Sequence, residues 1–87
     1  MENGFVIFCI SKKDRRPYFL KFSNGWIFEK EKVEDATVYP FYEAVETVFN
    51  DIKDSDAYLI LKICYADGTP CDSEGYGDLE DSEYLRG

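Results

Sequence analysis

The chain contains no histidine, and only three cysteines and one methionine among its 87 residues. The absence of histidine excludes imidazole metal ligands, histidine-based catalytic triads and the simplest ionisable switch near neutral pH. The odd cysteine count, without a CxxC pair, differs from the even sets of disulfide-stapled secreted domains. Glycine-rich phosphate loops and Gly-x-Ser-x-Gly motifs are also absent. We therefore expect neither an enzyme nor a protein with a bound cofactor or metal ion.

Long apolar segments are also lacking. No stretch approaches the roughly 18 consecutive apolar residues that a membrane-spanning helix needs. The first four residues carry no positive charge ahead of the first apolar run, so we expect no secretory leader. These features predict a cytoplasmic protein that does not bind membranes.

What the chain does contain is enough apolar material for one small core, together with a strong excess of acid. Hydrophobic residues make up 45% and aromatic residues 17%, and the net charge is -8. Residues 1–33 hold seven basic and four acidic side chains, whereas residues 34–87 hold three and fourteen. An acidic body repels nucleic-acid phosphates and anionic lipid headgroups and attracts a basic protein surface. The alternative is that the charge only maintains solubility.

The first half of the sequence predicts three strands. Residues 5–10 form a continuous apolar run, which indicates a central strand covered on both faces. Residues 18–22 and 26–29 form the next two strands, joined by Asn24-Gly25. Both positions of a type I′ hairpin turn need positive φ, which Asn and Gly tolerate best.

The second half predicts one helix and a fourth strand. One apolar stripe repeats at helical spacing after Pro40, and it consists of Phe41, Ala44, Val45, Val48, Phe49 and Ile52. Residues 57–65 then form a strand. A helix between two strands favours a right-handed crossover, so we expect this strand to lie parallel to the first. The prediction is an α+β fold with a mixed four-stranded sheet (β-β-β-α-β, order 4-1-2-3), one helix on one face, and a core that includes Val6, Phe8 and Ile10.

Composition changes after Tyr65, and this divides the chain into a domain, 1–65, and an acidic C-terminal tail, 66–87. The tail is expected to be irregular, with room for one short helix or strand. Its acids are denser than solubility requires and alternate with tyrosines, which favour interfaces. We predict that the partner-binding residues are Asp72, Glu74, Tyr76, Asp78, Glu80, Asp81, Glu83 and Tyr84. The spacing from Asp72 to Glu83 also partly matches a calcium loop, although Tyr76 occupies a ligand position.

Two other features have both a functional and a structural interpretation. Lys12, Lys13, Arg15 and Arg16 form a basic tip between the first two strands. This tip either contacts an acidic partner or is simply a solvated hairpin end. Tyr18, Phe19 and Trp26 suggest a stacking platform for bases, but aromatic residues on strands are more often core.

The segment from Trp26 through Ala36 and Tyr39 to the helical residues 44–52 follows a hairpin and precedes a strand. With the small size and acidity of the chain, it resembles accessory proteins of phages and mobile elements, including anti-CRISPR and DNA-mimic inhibitors. The resemblance implies a non-enzymatic inhibitor in the host cytoplasm. Such an inhibitor occupies the basic surface of a nucleic-acid-handling host protein and does not itself bind nucleic acid. The alternative is a small interaction module that binds through an apolar or aromatic sheet face.

Overall fold

The computed structural model describes residues 4–76, and the side chains of residues 4–71. The fold is α+β, as predicted. Five strands form one sheet in the order β3-β2-β1-β4-β5. The strands are β1 (Phe5–Ser11), β2 (Pro17–Ser23), β3 (Trp26–Lys30), β4 (Tyr58–Tyr65) and β5 (Pro70–Tyr76); a 3₁₀ turn (Val33–Asp35) and helix α1 (Tyr42–Ile52) lie between β3 and β4. The predicted neighbour order 4-1-2-3 is confirmed, and β5 extends the sheet beyond β4.

The direction of β4 differs from the prediction. β4 pairs with β1 in the antiparallel sense, with Phe5 opposite Tyr65. All four strand pairings within residues 4–76 are therefore antiparallel, and the prediction of a mixed sheet is wrong. The reason lies in the connection from β3 to α1. Residues 31–41 already carry the chain back to the Phe5 end of the sheet, so α1 returns it to the other end and β4 must run back down.

β1 and β2 separate toward the Phe5 end of the sheet, and this split holds part of the β3–α1 connection. The two strands pair only where residues 8–10 face residues 17–19. Closer to the Phe5 end, Thr37 takes the place of β1 and forms hydrogen bonds with β2. Its amide donates to the carbonyl of Leu20 at 3.2 Å, and its hydroxyl accepts the amide of Phe22 at 2.8 Å.

Tyr39 completes the insertion on the β1 side of the split. Its amide donates to the carbonyl of Phe5, and its carbonyl accepts the amide of Phe5, both at 2.8 Å. The split strands therefore keep their backbone hydrogen bonds, since the connection supplies the missing partners. The chain thus passes from one face of the sheet to the other through the split.

Both faces of the sheet carry a buried cluster. The face toward α1 buries Ile7, Cys9, Leu20, Val45, Phe49, Leu61, Ile63 and Cys71. The opposite face buries Val6, Phe8, Ile10, Ile60 and Cys64, with Val33 and Ala36 of the β3–α1 connection packed against them. The predicted core residues Val6, Phe8 and Ile10 are buried, but on the face away from the helix. Their continuous apolar run reflects cover on both sides of β1.

The helix follows its predicted apolar stripe, except at its start. Val45 and Phe49 are buried, with Val48 and Ile52 packed against their cluster. Phe41, however, is the N-cap residue and is 67% exposed. The helix begins one residue after it, so Phe41 does not lie on the packed face.

The turn predicted at Asn24-Gly25 is present, and a second turn precedes β5. Asn24 and Gly25 have φ of 51° and 82°, as a type I′ turn requires. Asp67-Gly68 lies in the turn before β5, where Gly68 has φ of 93°. The sheet therefore continues past Tyr65 into residues that the sequence analysis assigned to the tail, within its allowance for one short strand.

Candidate protein-binding surface

Only part of the predicted acidic site lies in the described residues. Asp72, Glu74 and Tyr76 belong to β5, the strand at one edge of the sheet. The other predicted binding residues, Asp78, Glu80, Asp81, Glu83 and Tyr84, lie outside the described range, as does most of the calcium-like spacing. Among the described residues, no group of three or more His, Cys, Asp or Glu side chains is placed to hold a metal ion.

A different surface stands out in the described part of the chain. Its exposed large hydrophobic side chains gather at one end of the sheet, which we call the hydrophobic end. They are Trp26, Ile27, Phe28, Val38, Phe41 and Tyr65. Trp26 is 70% exposed and Phe41 is 67% exposed. Exposed large apolar side chains that are grouped on one part of a small domain mark interaction sites more often than scattered single residues do.

Strand register explains why these side chains come together. Tyr65 lies opposite Phe5 at the start of β1. Tyr39 bridges the same Phe5, which places Val38 at this end. The ring of Tyr42, next to Phe41, lies 5.5 Å from the ring of Phe5.

The β2–β3 hairpin brings the remaining members to the same place. The ring of Phe22 lies 6.2 Å from the ring of Tyr39, and Phe22 is opposite Ile27. Trp26 directly follows the Asn24-Gly25 turn at this end. The hydrophobic end is therefore built from three separate parts of the chain that the Thr37–Tyr39 insertion holds together.

A shallow cavity adjoins the hydrophobic end and adds an acidic group. It measures about 290 Å³ and is lined by Val33, Glu34, Val38 and Ala66.

 A larger cavity, of about 390 Å³, lies at the other end of the sheet, beside Ser11 and Lys12. The carboxylate of Glu34 thus borders apolar side chains at the hydrophobic end.

The basic tip, residues 12–16, forms the opposite end of the sheet and is held by its own hydrogen bonds. The amide of Arg15 donates to the carbonyl of Ser11 at 2.8 Å, and the amide of Ser11 donates to the carbonyl of Arg16 at 2.9 Å. Arg15 has φ of 59°, a left-handed conformation that closes the turn. Residues 12–16 are all exposed.

Asp14 fixes the tip further. Its carboxylate accepts hydrogen bonds from the amide of Arg16 and from the hydroxyl of Tyr18. The Tyr18 hydrogen bond is the main cause that lowers the pKa of Asp14, because it stabilises the carboxylate. The same bond raises the pKa of Tyr18 to about 12. The tip is thus an ordered hairpin end that also carries carboxylates, since Glu29 lies 4.0 Å from the ammonium of Lys13.

The proposed stacking platform is wrong, because its members do not share a face. Tyr18 packs against the cluster on the helix side, whereas Phe19 packs against the cluster on the other side. Trp26 lies on the same side as Phe19, since the β2–β3 register places alternate residues together.

The three cysteines are reduced and buried. Burial raises the pKa values of Cys9 and Cys64 to about 12, so their thiols stay protonated near neutral pH. Cys71, which belongs to the segment that the sequence analysis assigned to the tail, is 7% exposed on β5. The described cysteines therefore behave as small apolar core residues.

The sequence analysis did not include the hydrophobic end among its committed binding residues. One local signal was available, a tryptophan directly after a hairpin turn on an edge strand. Val38 and Phe41 flank Tyr39, which pairs with Phe5, and Tyr65 pairs with the same Phe5, so only the tertiary structure brings them to one end. Comparisons with protein-family models, curated proteins and solved structures give no match to this chain. The one α-helix in the described range is too short to cross a membrane.

Proposed function

We propose that this chain is a non-enzymatic protein-binding module that contacts its partner through the hydrophobic end. The observation that carries the proposal is the gathering of the exposed large hydrophobic side chains at one end of the sheet. Interfaces are enriched in tryptophan, tyrosine and phenylalanine, and a few such anchors carry most of the binding energy. The proposal is related to the alternative in the sequence analysis, an interaction module that binds through an apolar or aromatic sheet face, but it assigns the contact to one end of the sheet.

The experiment compares capture by matched variants. The immobilised full chain is exposed to a cell extract beside Trp26→Ala and Phe41→Ala, with Lys12→Ala as the control at the basic tip. We expect one or more proteins to be retained by the wild type and the control and lost with both aromatic variants. Retention of every captured protein by both aromatic variants would contradict the proposal.

The measured affinity for a purified captured partner should then follow the anchors. Trp26→Ala should cost about 2 kcal/mol or more of binding free energy if the indole is a central anchor. Because Trp26 is 70% exposed, its removal should leave the melting temperature close to that of the wild type.

A second candidate function rests on the uneven charge. The fourteen acids of residues 34–87 support an inhibitor that covers the basic, nucleic-acid-binding surface of a host protein in the cytoplasm. Replacing Asp78, Glu80, Asp81 and Glu83 by Asn or Gln should then weaken partner binding, most visibly at low salt. Affinity that stays unchanged across a salt series would reject this candidate and leave the acids a role in solubility.

A further inference from the structure

Within residues 4–76, no strand pairs with the outer edge of β3. β3 is an edge strand, and β2 is its neighbour in the sheet. Ser23 lies opposite Trp26 across a two-residue turn, so these two form a hydrogen-bonded pair and the pattern alternates along β3. The amides and carbonyls of Ile27 and Glu29 therefore point away from β2. These are the groups that an added strand would bind.

The exposure of β3 is unusual for an edge. Edge strands are commonly protected by charges, prolines or bulges. Here the first three residues of β3 are large and hydrophobic, and each is at least 41% exposed. Charged residues occur only at its far end, at Glu29 and Lys30.

The strand residues of this hairpin that face away from α1 include two lysines, whereas the chain as a whole is acidic. Lys21 lies opposite Phe28, and the ammonium of Lys30 lies 6.0 Å from the centre of the Phe28 ring. The register places Pro17, Phe19, Lys21, Trp26, Phe28 and Lys30 on this face, and none of them is a carboxylate. An added strand would therefore meet aromatic rings and ammonium groups here.

We propose that β3 receives an extended segment of the partner protein as an additional strand, and that this segment carries apolar and acidic side chains on the face away from α1. The inference rests on the proposed function and specifies its binding mode. Backbone hydrogen bonds to Ile27 and Glu29 would supply affinity that depends little on sequence. Trp26 and Phe28 would select apolar side chains, and Lys21 and Lys30 would select carboxylates by charge complementarity.

The test uses paired proline and alanine variants, in which proline removes an outward backbone donor and also fixes φ. Ile27→Pro and Ile27→Ala both remove the isoleucine side chain, but only proline also removes the outward amide. Proline is tolerated at an edge position whose N–H faces solvent. Glu29→Pro and Glu29→Ala form a second pair, and far-ultraviolet circular dichroism shows which variants keep the fold.

The probe is a phage-displayed library of random twelve-residue peptides, selected on the wild-type chain. We expect the enriched peptides to alternate apolar and acidic residues. As synthetic peptides, they should bind Ile27→Pro roughly tenfold more weakly than Ile27→Ala, because one backbone hydrogen bond is lost. Lys30→Glu should weaken the binding of the acidic peptides.

Other outcomes overturn the inference in distinguishable ways. If both proline variants bind like their alanine controls while Trp26→Ala abolishes binding, the surface stands but strand addition fails. Enrichment of basic peptides, or no enrichment, contradicts the proposed segment. If Trp26→Ala binds like the wild type, the proposed surface itself fails. Sedimentation velocity of the chain alone tests whether a second copy of this chain occupies the β3 edge. A dimer that Ile27→Pro abolishes would show that the added strand comes from a second copy and not from a partner protein.

Discussion

The two ends of the sheet differ in how their exposed groups are held. At the basic tip, hydrogen bonds within a single hairpin order a short polar turn, and the nearby acids Asp14 and Glu29 offset part of its charge. The hydrophobic end combines three separate parts of the chain through an inserted segment. The first is the local structure of a solvated hairpin, whereas the second is a tertiary arrangement that exposes large apolar side chains. This difference is why we propose the hydrophobic end, and not the basic tip, as the binding surface.

Phe49 provides the largest expected effect, because it supports both ends through the shared core. Its side chain is 6% exposed in the cluster between α1 and the sheet. We expect Phe49→Ala to lower the free energy of unfolding by about 3–5 kcal/mol. Denaturant unfolding followed by circular dichroism measures the change. A melting curve like that of the wild type would refute the assigned packing of the helix.

A substitution at Thr37 should affect the hydrophobic end and not the basic tip, because the Thr37 hydroxyl binds the amide of Phe22. Thr37→Val leaves the partly buried amide of Phe22 without this acceptor, and we expect it to lower the free energy of unfolding by about 1–3 kcal/mol. Thr47→Val is the matched control, because the Thr47 hydroxyl donates to an exposed helix carbonyl. Hydrogen exchange should accelerate at Phe22 and Tyr39 while Arg15 is unaffected. Equal destabilisation by both variants would argue against a special role for the insertion.

Gly25 tests the hairpin turn at the hydrophobic end. A Cβ at this position would meet no atom within 4 Å, so the cost of Gly25→Ala is that of the backbone at φ of 82°. We expect a loss of about 1–2 kcal/mol, because L-residues are disfavoured in the left-handed region. Thermal unfolding measures it, and a stability equal to that of the wild type would contradict the turn geometry.

Tyr18 offers the smallest effect, confined to the basic tip. In Tyr18→Phe the pKa of Asp14 should rise toward its ordinary value of 3.8, because the main stabilising hydrogen bond is lost. A lowered folded-state pKa contributes stability above the ordinary pKa, and this contribution is lost as pH falls through the folded-state value. The variant should therefore lose less stability on acidification. Carbon-13 titration of the Asp14 carboxyl group provides the measurement, and an unchanged pKa would contradict the assigned bond.

The sequence predicted those features that depend on neighbouring residues. The Asn24-Gly25 turn, the helical stripe and the order of the first four strands all follow from short-range patterns. The direction of β4 could not be predicted, because it depends on how far residues 31–41 travel before the helix starts. The faces of Val6 and Phe8 were also undetermined, since a continuous apolar run on a doubly covered strand does not distinguish the two sides.

The candidate site was harder to predict than the fold. The sequence analysis predicted a binding site within residues 72–84, because a high density of acidic residues can be read directly from the sequence. The hydrophobic end has no such composition, because its members are far apart in the chain and look like ordinary core residues. Phe41 illustrates the difficulty. It continues the apolar period of the helix, yet it lies just before the first helical residue and is exposed.

The central claim is that the hydrophobic end, and not the basic tip, binds the partner. The most direct test is calorimetric titration of a purified captured partner into the wild type, Trp26→Ala, and a variant carrying Lys12→Ala and Lys13→Ala. We predict that Trp26→Ala weakens binding by about 2 kcal/mol or more, whereas the tip variant binds within about 0.5 kcal/mol of the wild type. Full affinity in Trp26→Ala together with loss of binding in the tip variant would contradict the account.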